Sequence, residues 1–583
     1  MAGTWIPLLH QPTFAASTML LLTDGSVMCQ QSGGLNWYKL TPDPHGNYTH
    51  GTWSALAPMH QTRLYYASAV LGDGRVIVTG VEYSNAGSET NTCEIYDPRT
   101  DAWSVISPPA GWSQIGDAAS CLLPDGRLMV GDLNSTRTAI YDPVAGTWSA
   151  GPTKGDRSSE ETWTLLPDQT VLTVQCSNAP NAEKYVIAAN AWFSAGTLPV
   201  NLVEGASIEI GPACLLPDGR VFCVGATNKT ALYTMPPVAN QPGSWSAGPQ
   251  FPGIGGHTIG AKDAPACLMP NGKVLLVGGP VDGVSFDYLS PTYFFEFDGT
   301  SLVRVPDPPN AGGPPFVGRM LLLPTGDVLF AAGSSALHCY RPDGGPDGTW
   351  RPTVTAAPSV VHGGLSYTLH GRQLNGLSQA VAYGDDASAA TNYPIVRIRH
   401  LVTGHVTYCR TFDHDTMGVA TGTAVHSTNF HVPLGISPGL SELSVIANGI
   451  SSPCQILRVA HPFVIDPHIF ESWNWLLGSL ADGPLWVWGP HGPVPVDPWG
   501  PLYAERAQEA RALMLRGMEE MVELGRELVG HRAQVAERVA PVADPALGEI
   551  EARMRGDILK MTTRSARHLG GAREGMPQPR PAE

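Results

Sequence analysis

Short apolar runs alternate with tight polar turns from Thr18 to Trp350, and this pattern recurs seven times. Each turn is flanked by two apolar segments, as in the stretch Ala-Cys-Leu-Leu-Pro-Asp-Gly-Arg-Val-Phe-Cys-Val-Gly that begins at Ala213. An Asp-Gly pair tolerates the positive φ of a tight hairpin, so each turn predicts a hairpin tip. The turns are Thr23-Asp24-Gly25, Gly72-Asp73-Gly74, Pro124-Asp125-Gly126, Pro167-Asp168-Gln169, Pro217-Asp218-Gly219, Pro270-Asn271-Gly272 and Pro324-Thr325-Gly326.

A second signature stands later in the repeats, where a turn of the Tyr-Asp-Pro type precedes a tryptophan, as from Tyr96 to Trp103. Repeats of about 50 residues with four short strands are typical of kelch-type propeller blades. The chain is therefore predicted to be mainly β, with a seven-bladed propeller over residues 1–351. The same phase is kept by Trp53, Trp148, Trp192, Trp245 and Trp350, while Leu302 replaces tryptophan in the sixth unit.

The segment around Trp5 resembles the end of a repeat that has been placed at the N-terminus. We expect it to close the ring as the outer strand of the last blade. Trp350 then leads out of the propeller.

The repeat is absent from residues 352–462, but strand patterns continue there, which predicts a β-sandwich. The patterns are Ala380–Tyr383, Ile395–Arg399, Val406–Cys409 and Leu443–Ala447.

The remaining sequence divides into three predicted segments. Residues 463–501 form an arm rich in Trp, Pro and Gly, for which packing on the body and a membrane-interface role are both open. Residues 502–569 are predicted to form a helical hairpin, and residues 570–583 a disordered tail. The first helix carries an apolar stripe at a spacing of seven, at Met514, Met521, Leu528 and Val535.

The charge of the chain argues against nucleic-acid binding, because a formal net charge of −16 repels phosphates. No apolar stretch is long enough to predict a transmembrane segment. The first residues lack the features of a signal peptide, which predicts a cytoplasmic location, with non-classical export left open.

Ten cysteines in 583 residues are too few for a disulfide scaffold, and no Cys-X-X-Cys pair indicates zinc. Cys121, Cys214 and Cys267 share one repeat position, so we predict that they are buried core residues.

The chain resembles the galactose oxidase and glyoxal oxidase family over most of residues 3–460. The family joins a seven-bladed kelch propeller to an immunoglobulin-like early-set domain of the DUF1929 type. The resemblance rests on Arg63-Leu-Tyr65 leading to Gly74-Arg-Val-Ile, on Met320 to Leu329, and on Tyr383 to Pro394.

The oxidases of that family bind copper through two tyrosines and two histidines, and one tyrosine is cross-linked to a cysteine. The resemblance implies Ala16 at the cysteine, Asp117 at the cross-linked tyrosine and Phe316-Val317 at the adjacent Tyr-His pair. It implies Tyr408, after Thr407, at the last histidine. None of these residues supplies the required ligand, so no catalytic residue and no cofactor are predicted, copper included.

One other group could bind a metal: His400 and His405 flank a predicted turn, and Cys409 and His414 follow. The alternative is a hairpin tip with exposed histidines and a buried cysteine. We prefer this alternative, because a third ligand cannot be placed from the sequence.

The sequence thus favours a non-catalytic binding or scaffold protein. A protein partner or self-association through the helical tail is expected. Two alternatives stay open: a copper-radical oxidase of alcohols, aldehydes or sugars with atypical ligands, and a carbohydrate-binding protein whose loop aromatics stack on sugars.

Overall fold

The computed structural model describes residues 2–282, 287–383 and 389–460, together with a short hairpin within residues 486–495. The chain divides into two compact units between Phe463 and Val464. Of the second unit only the hairpin strands are described, β40 (Trp486–Gly489) and β41 (Gly492–Pro495). The predicted arm lies largely outside the described residues, and the predicted helical hairpin and tail lie wholly outside them.

Seven antiparallel sheets form a β-propeller, as the repeats predict. Blade 7 combines β1 (Thr4–Pro7) with β27–β29. The other blades follow in chain order. Blade 1 consists of β2 (Ala16–Leu21), β3 (Val27–Gln31), β4 (Trp37–Thr41) and β5 (Thr52–Leu56). Blade 2 consists of β6 (Ala67–Val70), β7 (Val76–Ser84), β8 (Gly87–Asp97) and β9 (Ala102–Ile106). Blade 3 consists of β10 (Ser120–Leu122), β11 (Leu128–Gly131), β12 (Thr138–Asp142) and β13 (Thr147–Ala150). Blade 4 consists of β14 (Thr164–Leu165), β15 (Thr170–Val174), β16 (Asn181–Val186) and β17 (Ala191–Thr197). Blade 5 consists of β18 (Ala213–Leu215), β19 (Val221–Val224), β20 (Thr230–Thr234) and β21 (Ser244–Ala247). Blade 6 consists of β22 (Ile259–Gly260), β23 (Ala266–Leu268), β24 (Val274–Pro280), β25 (Tyr293–Phe297) and β26 (Leu302–Val305). The strands of blade 7 that pair with β1 or with each other are β27 (Gly318–Leu322), β28 (Val328–Ala332) and β29 (His338–Arg341).

The N-terminal strand closes the ring, as predicted. β1 pairs antiparallel with β29, and Trp5 lies opposite Tyr340. The Trp5 indole also donates to the backbone oxygen of Pro306, just beyond blade 6, at 2.7 Å. The last blade is therefore built from both ends of the propeller sequence, which leaves no unpaired edge on β29.

The repeat turns have the predicted geometry, because the third residue of each turn has a positive φ of 62° to 87°. Six of these residues are glycine, and the seventh is Gln169. The second residue often fixes the turn through its side chain, as where Asp218 Oδ1 accepts the Arg220 backbone N–H at 3.0 Å. All seven turns lie at one end of the propeller, which we call the turn face.

The repeated tryptophans join neighbouring blades. Most pack near the aromatic residue of their own third strand, as Trp245 does with Tyr233 at 4.9 Å between ring centroids. Most also donate their indole N–H to the backbone of the preceding blade or of the chain just beyond it. These bonds run from Trp53 to His10, Trp103 to Ala57, Trp148 to Ser107 and Trp245 to Ala195.

Residues 353–460 form nine further strands. Eight of them pair in one continuous order, β38 pairs with β37 beside it, and of these pairs only β31 with β39 is parallel. Their core includes Val361, Leu369, Phe430 and Leu443. The strands are β30 (Thr353–Ala356), β31 (Val360–His362), β32 (Ser366–Arg372), β34 (Ile395–His400), β35 (Val406–Phe412), β36 (Val425–His431), β37 (Gly439–Ala447), β38 (Ile450–Ser451) and β39 (Gln455–Ala460).

One predicted strand of this region belongs to the propeller instead. β33 (Val381–Ala382) pairs with β23, the innermost strand of blade 6. The apolar pattern of Ala380–Tyr383 indicated a strand correctly, but only tertiary contacts decide which sheet a two-residue strand joins.

These C-terminal strands pack on the turn face. The backbone N–H groups of Thr411, His414 and Met417 donate to Thr23, Gly72 and Pro124, in the turns of blades 1, 2 and 3. Tyr393 donates its hydroxyl to the Leu21 backbone oxygen in blade 1. The two β regions are therefore joined by backbone hydrogen bonds as well as by sequence.

Helix is scarce in the described part of the chain, where the helical elements are short 3₁₀ turns. They are Tyr48–His50, Ile187–Ala189, Pro315–Val317 and Gly348–Trp350. No helix among the described residues is long and apolar enough to cross a membrane.

Candidate functional site

The propeller axis is filled by part of the C-terminal region, which we call the inserted segment (residues 374–383 and 389–393). Buried amides fix its base: Asn375 Nδ2 donates to the Thr416 oxygen at 2.7 Å, and Asn448 Oδ1 accepts the Leu377 N–H at 2.9 Å. The strand β33 then continues along blade 6. Tyr383 donates its hydroxyl to the backbone oxygen of Phe316, which lies just before β27.

A small cavity of about 50 Å³ lies between the inserted segment and the innermost strands. Its polar lining consists largely of hydroxyl and amide groups, including those of Ser68, Ser120 and Asn392. Cys121 and Cys214 also line it, and burial raises the pKa of each thiol to about 12. Neutral thiols are poor nucleophiles and poor metal ligands, so these cysteines are core residues, as predicted.

The end of the channel opposite the turn face, which we call the channel mouth, is built from residues just before the innermost strands. Four of them have a left-handed backbone although none is glycine: Tyr65, Glu160, Ile208 and Asp263, with φ from 49° to 61°. They precede the innermost strands of blades 2, 4, 5 and 6. Such conformations cost about 1–3 kcal/mol each and concentrate at functional sites.

A buried arginine occupies the mouth on the side of blade 7. Arg319 is 4% exposed, and its Nη1 donates to the backbone oxygens of Phe316 and Gly318, at 2.9 Å each. Its guanidinium lies 3.9 Å from the ring centroid of Tyr383 and 5.4 Å from that of Tyr65. Stacking on two aromatic faces stabilises the charge in this partly dry position.

A second group at the mouth joins blades 5 and 6. Tyr288 donates its hydroxyl to Glu209, and the Lys262 ammonium lies 4.3 Å from the Tyr288 ring centroid. Burial and the Glu209 charge raise the pKa of the Tyr288 phenol well above its usual range. Phe316 packs on Tyr288 with ring centroids 5.0 Å apart, so the two groups form one aromatic and charged cluster.

The most accessible member of the mouth is Tyr83, which is 53% exposed. Its ring packs near Tyr65, with centroids 6.3 Å apart. The pKa of its phenol is raised to about 12, first by its hydrogen bond to Glu82, then by burial and by the charges of Glu82, Glu89 and Asp117. An exposed aromatic ring among carboxylates is a surface that a partner can reach.

The structure brings together most of the positions that the resemblance associates with copper, but not all. Ala16 is the first residue of β2, and its backbone N–H donates to the Ser334 oxygen. Asp117 and Phe316 lie in the mouth. Tyr408 lies at the opposite end, where it packs on Gly25 and Tyr48. Tyr408 therefore does not occupy the same site as the others, and the inserted segment is the C-terminal element that reaches the mouth.

The described side chains of the mouth differ from the donors that copper usually takes. Ala16, Asp117 and the Phe316-Val317 pair present a methyl group, a carboxylate, a phenyl ring and an isopropyl group. The buried Arg319 guanidinium adds a positive charge next to Phe316, whose backbone oxygen it binds. Copper(II) prefers imidazole, thiolate and phenolate donors, and a nearby cation repels it. Among the described residues, no three His, Cys, Asp or Glu side chains lie close enough to share a metal ion.

The four candidate metal ligands on the C-terminal strands are used in other ways. The His400 ring contacts Thr403 and the Pro438 oxygen, and the His405 ring packs near His45. Cys409 is buried, and burial lowers the pKa of His414 to about 3. The turn between His400 and His405 is present, since the His400 N–H donates to the His405 oxygen.

Sequence reasoning missed the members of the mouth cluster: Arg319, Tyr288, Glu209, Lys262 and Tyr383. They come from different blades and from the inserted segment, so no local motif joins them. A weak signal exists in the spacing of their neighbours. In blades 2, 4, 5 and 6 the left-handed residue stands nine to eleven positions before the third residue of the repeat turn.

The fold is that of a seven-bladed propeller built from kelch-type repeats. Over 128 residues the chain is 34% identical to the Kelch-like protein terF of Aspergillus terreus, which covers 21% of this chain and 26% of that protein. Over 100 residues it is 30% identical to the F-box/kelch-repeat protein SKIP20 of Arabidopsis thaliana, covering 16% of this chain and 23% of that protein. The chain thus matches about a quarter of the length of these curated relatives.

Among solved structures, a fungal alcohol oxidase of the AA5 family in complex with copper aligns with a TM-score of 0.45 and 16% identity. The alignment covers 79% of this chain and 100% of the oxidase. No protein-family model matches the chain.

Proposed function

We propose that the protein is a non-catalytic binding or scaffold protein that recognises a protein partner at the channel mouth. The observation that carries the proposal is the buried Arg319 guanidinium, stacked on Tyr383 and Tyr65 in the mouth. It places a permanent positive charge beside the positions that an oxidase of the resembling family would use for copper. The kelch-repeat similarity agrees with a binding role, since kelch-type propellers commonly present loop surfaces to partners.

The proposal extends to the C-terminal regions. Residues 352–462 form an immunoglobulin-like early-set region that supplies the inserted segment, and residues 502–569 form a helical hairpin that mediates self-association or partner docking. The protein is taken to act in the cytoplasm, which the fluorescence of a tagged full-length chain in its native cells would check.

The first test measures copper binding and turnover. Purified protein is dialysed against copper(II), its metal content is determined by mass spectrometry, and peroxide release from alcohols, aldehydes and sugars is assayed. We expect less than stoichiometric copper and no peroxide. Stoichiometric copper with copper-dependent peroxide release would overturn the proposal.

The second test compares two exposed positions on opposite ends of the propeller. Tyr83→Arg changes the mouth, and Val144→Arg is the matched control on the turn face, where Val144 is 96% exposed. We expect a partner cross-linked to the wild type to be lost only with Tyr83→Arg. Equal retention by both variants would place recognition elsewhere, and retention of glycans in place of protein would favour the carbohydrate alternative.

A further inference from the structure

Blade 4 contains a fully buried ionic cluster that the binding proposal does not use, which we call the blade-4 triad (Lys154, Glu161 and Glu183). Lys154 Nζ lies 2.5 Å from Glu161 Oε2 and 3.1 Å from Glu183 Oε1. The three side chains are 0%, 0% and 5% exposed. Two carboxylates thus share one ammonium group away from water.

The hydrogen bonding of the triad is incomplete. Glu161 Oε2 also accepts the Trp163 indole N–H at 3.0 Å, but Glu161 Oε1 has no hydrogen-bond partner within the described residues. Trp192 lies 5.0 Å from Lys154 Nζ, and in the described structure its indole N–H also lacks a partner. An ionised carboxylate with one unsatisfied buried oxygen is costly, and binding a proton removes that charge.

The environment of the triad favours a proton on Glu161. Burial, together with the Glu183 charge, raises the pKa of the Glu161 carboxyl from 4.5 to about 7, although Lys154 acts in the opposite direction. Burial alone would lower the pKa of Lys154, but the two carboxylates outweigh this and raise it. Lys154 therefore stays charged, and the titrating group is Glu161.

Four elements bring other charged or titratable groups near Glu161. Its own segment carries Lys154, Asp156, Arg157 and Glu160, β16 carries Glu183, and the loop after β15 carries Cys176. Blade 3 adds the Asp132–Arg137 ion pair, and the Asp132 backbone oxygen accepts the Ser158 N–H.

The triad is connected to the channel mouth by the residues on either side of Glu161. Glu160 has a left-handed backbone, and its oxygen accepts the Cys176 thiol at 3.0 Å. Thr162 Oγ1 lies 3.0 Å from the Tyr383 backbone oxygen and 3.1 Å from that of Gly211. Glu161 precedes Thr162 in the chain, so a displacement of Glu161 would act on one of the groups that bind the inserted segment.

We propose that Glu161 is a proton-controlled latch for the inserted segment. With a proton taken up from water, Glu161 is neutral, stays beside Lys154 and keeps Thr162 bonded to Tyr383. When that proton returns to water, two carboxylates remain against one ammonium, and the segment from Glu160 to Thr162 loosens. The inserted segment is then held less firmly at the mouth.

The direction of the pH effect follows from the raised pKa. A carboxyl group whose pKa is higher in the folded than in the unfolded protein stabilises the fold fully below its unfolded pKa. This contribution is lost as the pH rises through the folded pKa. Stability from Glu161 should therefore fall between about pH 4.5 and pH 7 and stay low above that range.

The first experiment measures the melting temperature of the full chain from pH 4.5 to pH 8.5. In Glu161→Gln, the neutral amide can still accept from Lys154 and Trp163, so we expect the decline with pH to be much smaller than in the wild type. Glu296→Gln is the matched control, because Glu296 is also buried and paired with a lysine, Lys273. We expect this control to keep the wild-type decline.

A third variant keeps the proposal testable if Glu161→Gln does not fold. Glu183→Gln removes the neighbouring carboxylate, which should shift the decline to lower pH. A decline unchanged in both triad variants, or lost equally in Glu296→Gln, would overturn the proposal.

The second experiment tests transmission to the mouth by hydrogen exchange of peptides covering residues 378–383, with all samples at pH 8. We expect exchange in Glu161→Gln to be at least about tenfold slower than in the wild type, since one pKa unit corresponds to a factor of ten. Thr162→Val removes the connecting hydroxyl and should give fast exchange whether or not Glu161 is replaced. Equal exchange in the wild type and Glu161→Gln would overturn the latch, without bearing on partner binding at the mouth.

Discussion

Gln169 is the residue at which the sequence departs most clearly from its own repeat. Six of the repeat turns place glycine in the left-handed region, whereas Gln169 has φ 62° there. The turn is otherwise formed as in the other blades, because the Asp168 carboxylate accepts the Thr170 N–H at 3.2 Å. The side chain of Gln169 therefore strains a turn whose hydrogen bonds are normal.

Replacing this residue should stabilise the protein. A left-handed backbone costs a non-glycine residue about 1–2 kcal/mol, and the extra chain entropy of glycine offsets about 0.5–1 kcal/mol of the relief. We expect Gln169→Gly to raise the free energy of unfolding by about 0.5–1 kcal/mol in urea titrations. Gly219→Gln, at the same position of blade 5, is the matched reverse and should lower it; stabilisation by both changes would contradict this account.

At the scale of elements, the strand β1 decides whether the propeller is closed. It supplies four backbone pairs to β29, and Trp5 packs on Tyr340 with ring centroids 4.9 Å apart. Without it, β29 would expose a free edge and blades 6 and 7 would lose the Trp5 contact with Pro306.

Removal of residues 1–10 should therefore lower the melting temperature by at least about 5 °C, since each kcal/mol corresponds to about 2–4 °C in domains of 150–250 residues. Removal of residues 570–583 is the control and should change the melting temperature little. Differential scanning calorimetry measures both, and equal melting temperatures would contradict the role of β1 in closure.

At the scale of the whole molecule, the C-terminal strands and the propeller depend on each other. The inserted segment contributes β33 to blade 6 and Tyr383 to the mouth, and Asn448 holds its base. A change in the C-terminal strands can therefore reach the channel mouth through a segment inside the channel.

The proposed role of residues 502–569 in assembly is also a property of the whole molecule. In the proposed helix, the apolar positions from Met514 to Val535 would form a stripe that a partner could cover. The stretch from Arg553 to Arg580 contains seven Lys and Arg against Asp557 and Glu574. This basic stretch could dock on an acidic surface, with an affinity that falls as salt rises. Light scattering at low salt should give the mass of an oligomer for the full chain and the mass of a monomer for a chain that ends at Pro501. Monomer masses for both chains at every salt concentration would contradict the proposal.

The repeats, the hairpin tips and the closing strand could be predicted from the sequence because they depend on local patterns. Period-two apolar runs specify strands, and Asp-Gly turns specify hairpins, wherever the blades end up in space. The burial of Cys121, Cys214 and Cys267 followed from their common repeat position, which places them all on innermost strands.

The tertiary structure alone decided the mouth cluster, the inserted segment and the blade-4 triad. Arg319 contacts Tyr383 although they lie 64 positions apart in the sequence. Lys154 contacts Glu183 although β14 and β15 lie between them in the chain and no motif joins them. Tyr408, which the resemblance grouped with the mouth, lies at the turn face instead. Local pattern fixes which strands form, but the closure of the ring determines which side chains from distant strands share one site, because that contact depends on geometry and not on spacing along the chain.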